Sequence, residues 1–258
     1  MKILLTNDDG IEAPGLEALI GILKEEHKCL VVAPASEKSA SSHSLTLGQK
    51  LIVEERAPGR FAVQGTPADC VKFALSELED FKPDLLISGI NPGPNTGVSV
   101  YYSGTISAAR EGLINRVPAM AVSVGSKTAA DFSCAASFTR FLIKGYEKGV
   151  FPRGVLLNVN IPSLPESEIQ GIKIARQAPS HFIEEFIRES VSNHQRIYQL
   201  AGEIEVFDPD GTTDEEVLSE GFISVTPLKL DLTDYSAMPI LEEWIKKKEA
   251  SWPSPKNT

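Results

Sequence analysis

Short apolar runs and amphipathic stretches alternate along this chain as far as residue 162, and the alternation predicts an α/β fold. Ile3 to Leu5, Leu30 to Ala33, Leu85 to Ile87, Ala119 to Val122 and the run from Val155 to Ile161 have the length and apolar character of strands in a parallel sheet covered on both faces. Between them, Leu16, Leu19, Ile20 and Leu23 recur at helical spacing and predict a helix ending near His27. Val71, Leu75 and Leu78 mark a second helix, Ile106, Ala108, Ala109 and Leu113 a third, and Ala135, Phe138, Leu142 and Ile143 a fourth within 130–146. Strands that alternate with helices pair in parallel and need helices on both faces, so the expected architecture is a Rossmann-like three-layer sandwich with a mostly parallel sheet. Runs at 51–54 and 61–63 around Ala57-Pro58-Gly59-Arg60 add an edge hairpin.

After Pro162 the regular alternation stops. Strands are expected at 172–174, 197–200 and 222–228, a turn at Asp208-Pro209-Asp210-Gly211, and a last helix at 240–245. The chain therefore reads as one domain over 1–258, with a core to about residue 165 and an extension of hairpins and a helix from about 166. Such an extension either covers its own subunit or serves as a dimerisation arm.

The polar residues that end the strands carry the candidate chemistry. The first run stops at Thr6-Asn7-Asp8-Asp9-Gly10, which places two adjacent carboxylates at a strand's C-terminal end. Ligands of open α/β sheets bind along that edge, and two such carboxylates repel unless a positive charge lies beside them, which points to a divalent cation or, alternatively, to a simple turn rich in Asx and glycine. The second strand leads into a serine-rich loop, 35–44, and the run Leu85 to Ile87 into Gly89-Ile90-Asn91-Pro92-Gly93-Pro94-Asn95-Thr96-Gly97. Ser103-Gly104-Thr105 falls at a helix start, where amides and dipole favour phosphate, although a structural N-cap explains the same residues. Thr66, Pro67 and Asp69 read as cap, first helical residue and dipole complement.

Composition narrows the partners. A net charge of −10 argues against a nucleic-acid polymer, whose binding rests on Lys and Arg. No run approaches the ~18 apolar residues of a membrane span and the opening run is too short for a signal-peptide core, so a cytoplasmic protein is expected. Cys29, Cys70 and Cys134 are widely spaced and support neither a disulfide framework nor a thiolate metal site. His27, His181 and His194 lack ligand-like spacing.

Together, Thr6-Asn7-Asp8-Asp9-Gly10 with Ala13-Pro14-Gly15, Val32-Ala33-Pro34, Gly65-Thr66-Pro67-Ala68-Asp69-Cys70-Val71, Ser88-Gly89-Ile90-Asn91, Tyr102-Ser103-Gly104-Thr105, Asn158-Val159-Asn160-Ile161-Pro162 and Val225-Thr226-Pro227-Leu228 resemble the signature blocks of the survival protein SurE family, in order and spacing. The resemblance implies a phosphatase dependent on one divalent metal ion, Mg2+ or Mn2+, that hydrolyses nucleoside 5′- and 3′-monophosphates and assembles as a homodimer or homotetramer. It implies metal ligands at Asp8, Asp9, Ser39 and Asn91 and phosphate contacts at Asn95, Ser103, Gly104 and Thr105. The chain departs from the family's usual pattern at Ala40, where glycine is usual, and at Ser99, where aspartate is usual.

Such a donor set, all oxygen, suits magnesium or manganese. Asp8 or Asp9 would serve as general base, Asp8 being favoured, and His43 could contact the substrate or leaving group. Two rivals stay open: an aspartyl-phosphate mechanism on Asp8 or Asp9, and a nucleotide sensor without turnover.

Overall fold

The computed structural model describes residues 1–191, 195–207 and 209–248; His194 and Asp208 lie outside them. In chain order the elements are β1 (Lys2–Thr6), α1 (Pro14–Leu23), β2 (Lys28–Pro34), β3 (Val53–Ala57), β4 (Arg60–Val63), α2 (Pro67–Glu77), β5 (Leu85–Pro92), α3 (Ser99–Tyr102) and α4 (Gly104–Ile114). They continue with β6 (Ala119–Val124), α5 (Ser133–Glu147), β7 (Leu156–Ile161), β8 (Ile172–Ile174), β9 (Ser180–Val191), β10 (Arg196–Val206), α6 (Asp214–Ser219), β11 (Ile223–Leu228) and α7 (Met238–Lys248).

Nine strands form one sheet in the order β3-β4-β2-β1-β5-β6-β7-β11-β8. The run from β4 to β7 is parallel throughout; β3 pairs antiparallel to β4 and β11 antiparallel to β7. Because β1 neighbours β2 on one side and β5 on the other, the strand order reverses at β1. The crevice outside the carboxyl ends at that reversal is where a doubly wound sheet binds its ligand.

The central strands are buried on both faces. Ile3 and Leu5 pack with Leu16, Leu19 and Leu23 of α1 and with Phe138, Leu142 and Ile143 of α5, whereas Leu4 points to Val71 and Ala74 of α2 and to Ile106 and Leu113 of α4. Alternate residues of one strand thus feed two cores, which is why its apolar run is continuous. Each such side chain, fully buried, contributes roughly 1.5–3 kcal/mol.

Helix starts follow local chemistry. Thr66 caps α2 through its hydroxyl, Asp69 answers to the Thr66 amide, and Pro67 takes the first helical position. Helix α4 begins at the Ser103 hydroxyl, which accepts from the Ile106 amide. Its other end closes with Arg116 N–H on the Leu113 carbonyl and Val117 N–H on that of Gly112. This closure puts Arg116 at φ 64°, a left-handed conformation that glycine usually fills and that costs another residue about 1 kcal/mol or more.

Three segments differ from expectation. Helix α1 stops at Leu23 rather than near His27. Part of the stretch expected as loop coils into the short α3. The strand β9, absent from the sequence reading, pairs with β10 as a separate two-stranded ribbon, while β8 and β11 join the main sheet.

Candidate active site

Three loops meet at the reversal point. The first follows β1, where the Asn7 side chain accepts from the Gly10 amide and donates to the Gly10 carbonyl, which folds the acidic turn on itself. The second follows β2 and wraps the first: Lys38 N–H donates to the Asp8 carbonyl at 2.7 Å, and Ser42 is pinned by its amide to Tyr102 O and by its hydroxyl to Tyr101 O. The third, from Asn91 to Ser103, leads into α4.

Asp8 is 5% exposed and receives the Thr105 hydroxyl on Oδ1. Burial holds its pKa above the ordinary carboxylate value, against the pull of Thr105's hydroxyl and amide. Asp9 is pushed up to about 7 by burial, then by the charges of Asp8 and Glu37. Its Oδ2 is buried with no hydrogen-bond partner. Among the described residues no cationic side chain pairs with either carboxylate. An orphaned, desolvated oxygen beside a second buried carboxylate fits a divalent cation. Among the described residues no three His, Cys, Asp or Glu side chains gather to hold a metal, so such an ion needs hydroxyl, amide and water oxygens beside the two carboxylates.

Gly104 explains itself here. A Cβ on it would lie 2.7 Å from Asp8 Cβ and 3.0 Å from Ser41 Oγ, so only glycine lets the helix start close on the acidic turn. That approach has a consequence for the amides expected to greet phosphate. The Ile106 amide is taken by Ser103 and Thr105's amide and hydroxyl both turn to Asp8.

Of the remaining residues named from the sequence, Ser39 donates its hydroxyl to Glu37 Oε1 at 2.6 Å and Asn91 donates its amide to the Gly93 carbonyl at 2.6 Å. Asn95 is buried, its amide N–H on Asn160 Oδ1, its side chain on Ser123 Oγ and its carbonyl under Asn158 Nδ2. His43 is held at Glu111. Its Nε2 lies 2.9 Å from Glu111 Oε2, in a cluster where Glu111 also accepts from Lys72 and Asn115. The structure therefore brings Asp8, Asp9, Gly104 and Thr105 together, secures Asn95 from behind, and turns His43 toward α4.

Several supporting residues escaped the sequence reading. Asp214, pushed up to about 6 by burial despite accepting from Gly97 and Ala178 amides, anchors the third loop from the extension. Ser180 Oγ accepts from the Val98 amide and Gln177 donates to the Gly97 carbonyl. Asn158 and Asn160 left one readable sign: two polar residues at alternate positions of an otherwise apolar strand share one face.

The family model described as Survival protein SurE matches residues 3–184. The chain belongs to the SurE family. It is 44% identical over 248 residues to the 5′-nucleotidase SurE of Desulfatibacillum aliphaticivorans, covering 95% of this chain and 98% of that one. The 5′-nucleotidase SurE of Moorella thermoacetica is 46% identical over 241 residues, covering 92% and 93% of the two chains. The crystal structure of the SurE protein from Aquifex aeolicus superimposes with a TM-score of 0.83 at 38% identity, covering 95% of this chain and 99% of that one. The family and the α/β fold expected from the signature blocks are thus both borne out. A SurE departure also gains a physical reading: Ala40 sits at φ 53°, so the glycine usual there relieves a backbone constraint that this chain tolerates.

Proposed function

We propose that this chain is a phosphatase that hydrolyses nucleoside 5′- and 3′-monophosphates to nucleoside and inorganic phosphate with one divalent ion, Mg2+ or Mn2+. The observation that carries the proposal is the buried acidic pair, with Asp9 Oδ2 unpartnered, set against the start of α4. Asp8, Asp9, Ser39 and Asn91 would hold the ion. When bound, it supplies charge neutralisation and polarisation of the phosphoryl group.

The protein's own part is positioning and proton handling, which suits a loose transition state with little covalent work. Asn95, Ser103 and Gly104 orient the phosphate. Thr105 fixes Asp8, which keeps a carboxylate at the positive end of α4. Asp8 or Asp9 takes the proton of the attacking water as its oxygen bonds to phosphorus and the bond to the nucleoside oxygen breaks, and that oxygen leaves as the nucleoside hydroxyl on taking a proton from solvent. Activity on AMP or GMP should vanish in excess EDTA and return with Mn2+ or Mg2+. Full phosphate release in EDTA would overturn the metal reading.

A second copy of the chain is the partner that the extension favours. The β9–β10 ribbon exposes Ile183, Phe186, Ile187, Leu200 and Ile204, and α7 exposes Ile240, Leu241, Trp244 and Ile245. A lone two-stranded ribbon is at best marginal in water, so these side chains call for a covering surface, as in a homodimer or homotetramer. A single domain, 1–258, fits this arrangement, because the extension both completes the sheet and anchors Gly97. No helix among the described residues is long and apolar enough to cross a membrane, and Cys29, Cys70 and Cys134 are free thiols, which favours a reducing, cytoplasmic setting.

A further inference from the structure

At the edge of the sheet opposite the acidic turn, where β6 and β7 begin and α4 and α5 end, lies a cavity of about 680 Å³. This volume is in the range of small-molecule sites. Tyr146 and Phe151 build one wall, ring edge to ring face with centroids 4.8 Å apart. Both are fixed in advance. The Tyr146 hydroxyl donates to the Ala119 carbonyl, and a Cβ on Gly145 would stand 2.4 Å from the Phe151 ring, so the glycine is what lets that ring lie down on α5.

Two arginines, Arg116 and Arg153, are also among the residues lining the cavity, and no acidic residue is. Neither arginine has an ion pair or a side-chain hydrogen bond among the described residues. In a chain of net charge −10, two exposed arginines with no acidic neighbour in the lining leave the cavity mouth locally positive. The backbone makes the same point independently. Arg116 occupies the left-handed closing position of α4, φ 64°, where glycine would sit without strain. Keeping an arginine there makes physical sense if its side chain has something to bind.

We propose that this cavity binds a small planar organic anion, one anionic group on Arg116 and Arg153 and an apolar ring against Tyr146 and Phe151. Guanidinium suits the anionic end because its planar fork of donors matches the geometry of phosphate, sulfonate or carboxylate. The site is separate from the acidic turn, since α4 carries Gly104 at its first turn and leads to the cavity at its last, about 16 Å along the helix.

Isothermal titration of full-length protein with naphthalene-2-sulfonate, which carries no phosphate ester to hydrolyse, tests this. Saturable binding of one molecule per chain is expected, weakened tenfold or more in Arg116→Gly and in Arg153→Gln and unchanged in Asp8→Asn. Arg116→Gly should melt no lower than the parent, because glycine is at ease in that conformation, so a failure to bind would not reflect unfolding. Absence of saturable binding, equal binding by the parent and Arg116→Gly, or binding lost in Asp8→Asn would each overturn the proposal.

Discussion

Asp8 is held by a threonine 97 residues further along the chain and Gly97 by an aspartate 117 residues further on, whereas Phe186 in the ribbon meets Leu200 just across one hairpin. The acidic rim is therefore closed by contacts that exist only once the whole sheet has formed, and Asp8 and Gly97 are each fixed by a partner far along the chain. The ribbon is closed locally and leaves its apolar side chains to solvent. One region gains precision from long-range bonds at the expense of tolerance, and the other keeps its surface available for something outside the subunit.

That contrast can be broken at graded cost. The most severe test is Asp8→Asn, which should lower phosphate release from AMP at least a hundredfold while leaving the thermal melt nearly in place. Turnover at the parent rate would remove Asp8 from the chemistry. Next, Gly104→Ala drives a methyl group into Asp8, for which a loss of about tenfold to a hundredfold is expected with a destabilisation of about 1–3 kcal/mol, read by kinetics and denaturant titration together. On the other side of the comparison, Phe186→Lys with Leu200→Lys should weaken self-association about tenfold or more by sedimentation, since two facing apolar residues become like charges. An unchanged mass distribution would mean that the ribbon is not the contact.

At Glu111 the expected effect is on stability alone. Burial works against its charge, but Lys72, His43 and Asn115 outweigh it and hold its pKa below the ordinary 4.5. A carboxyl whose pKa is lowered on folding stabilises the protein above its unfolded value and loses that contribution as pH falls below it. Glu111→Gln should thus cost about 1–3 kcal/mol at pH 7, and melts taken down to pH 3 should show the gap narrowing below about 4.5. A constant gap across that range would assign the loss to packing instead.

The sequence showed the parts whose signals are local. The apolar run of β1 and the carboxylates that end it, the Thr66 cap with Asp69, and Ser103 at the start of α4 all depend on neighbours within a few residues. The strand β9 was hidden because Phe182, Ile183, Phe186 and Ile187 recur in pairs every four residues, a spacing that gathers them on one side of a helix rather than on one face of a strand. With both faces of the ribbon open, nothing imposes alternation on it. The props behind Asn95, and the turn of His43 toward Glu111, were invisible for another reason: their partners come from other strands and helices, and no local spacing encodes them.

Strand β11 lies between β7 and β8 and runs against β7. During synthesis the flank of β7 consequently stays open until residue 228 has left the ribosome, although the strands before it are ready to pair much earlier. An exposed strand flank is a template for other chains, so nascent copies on one messenger face their greatest hazard of sticking together in that interval, when a chaperone would have most to protect.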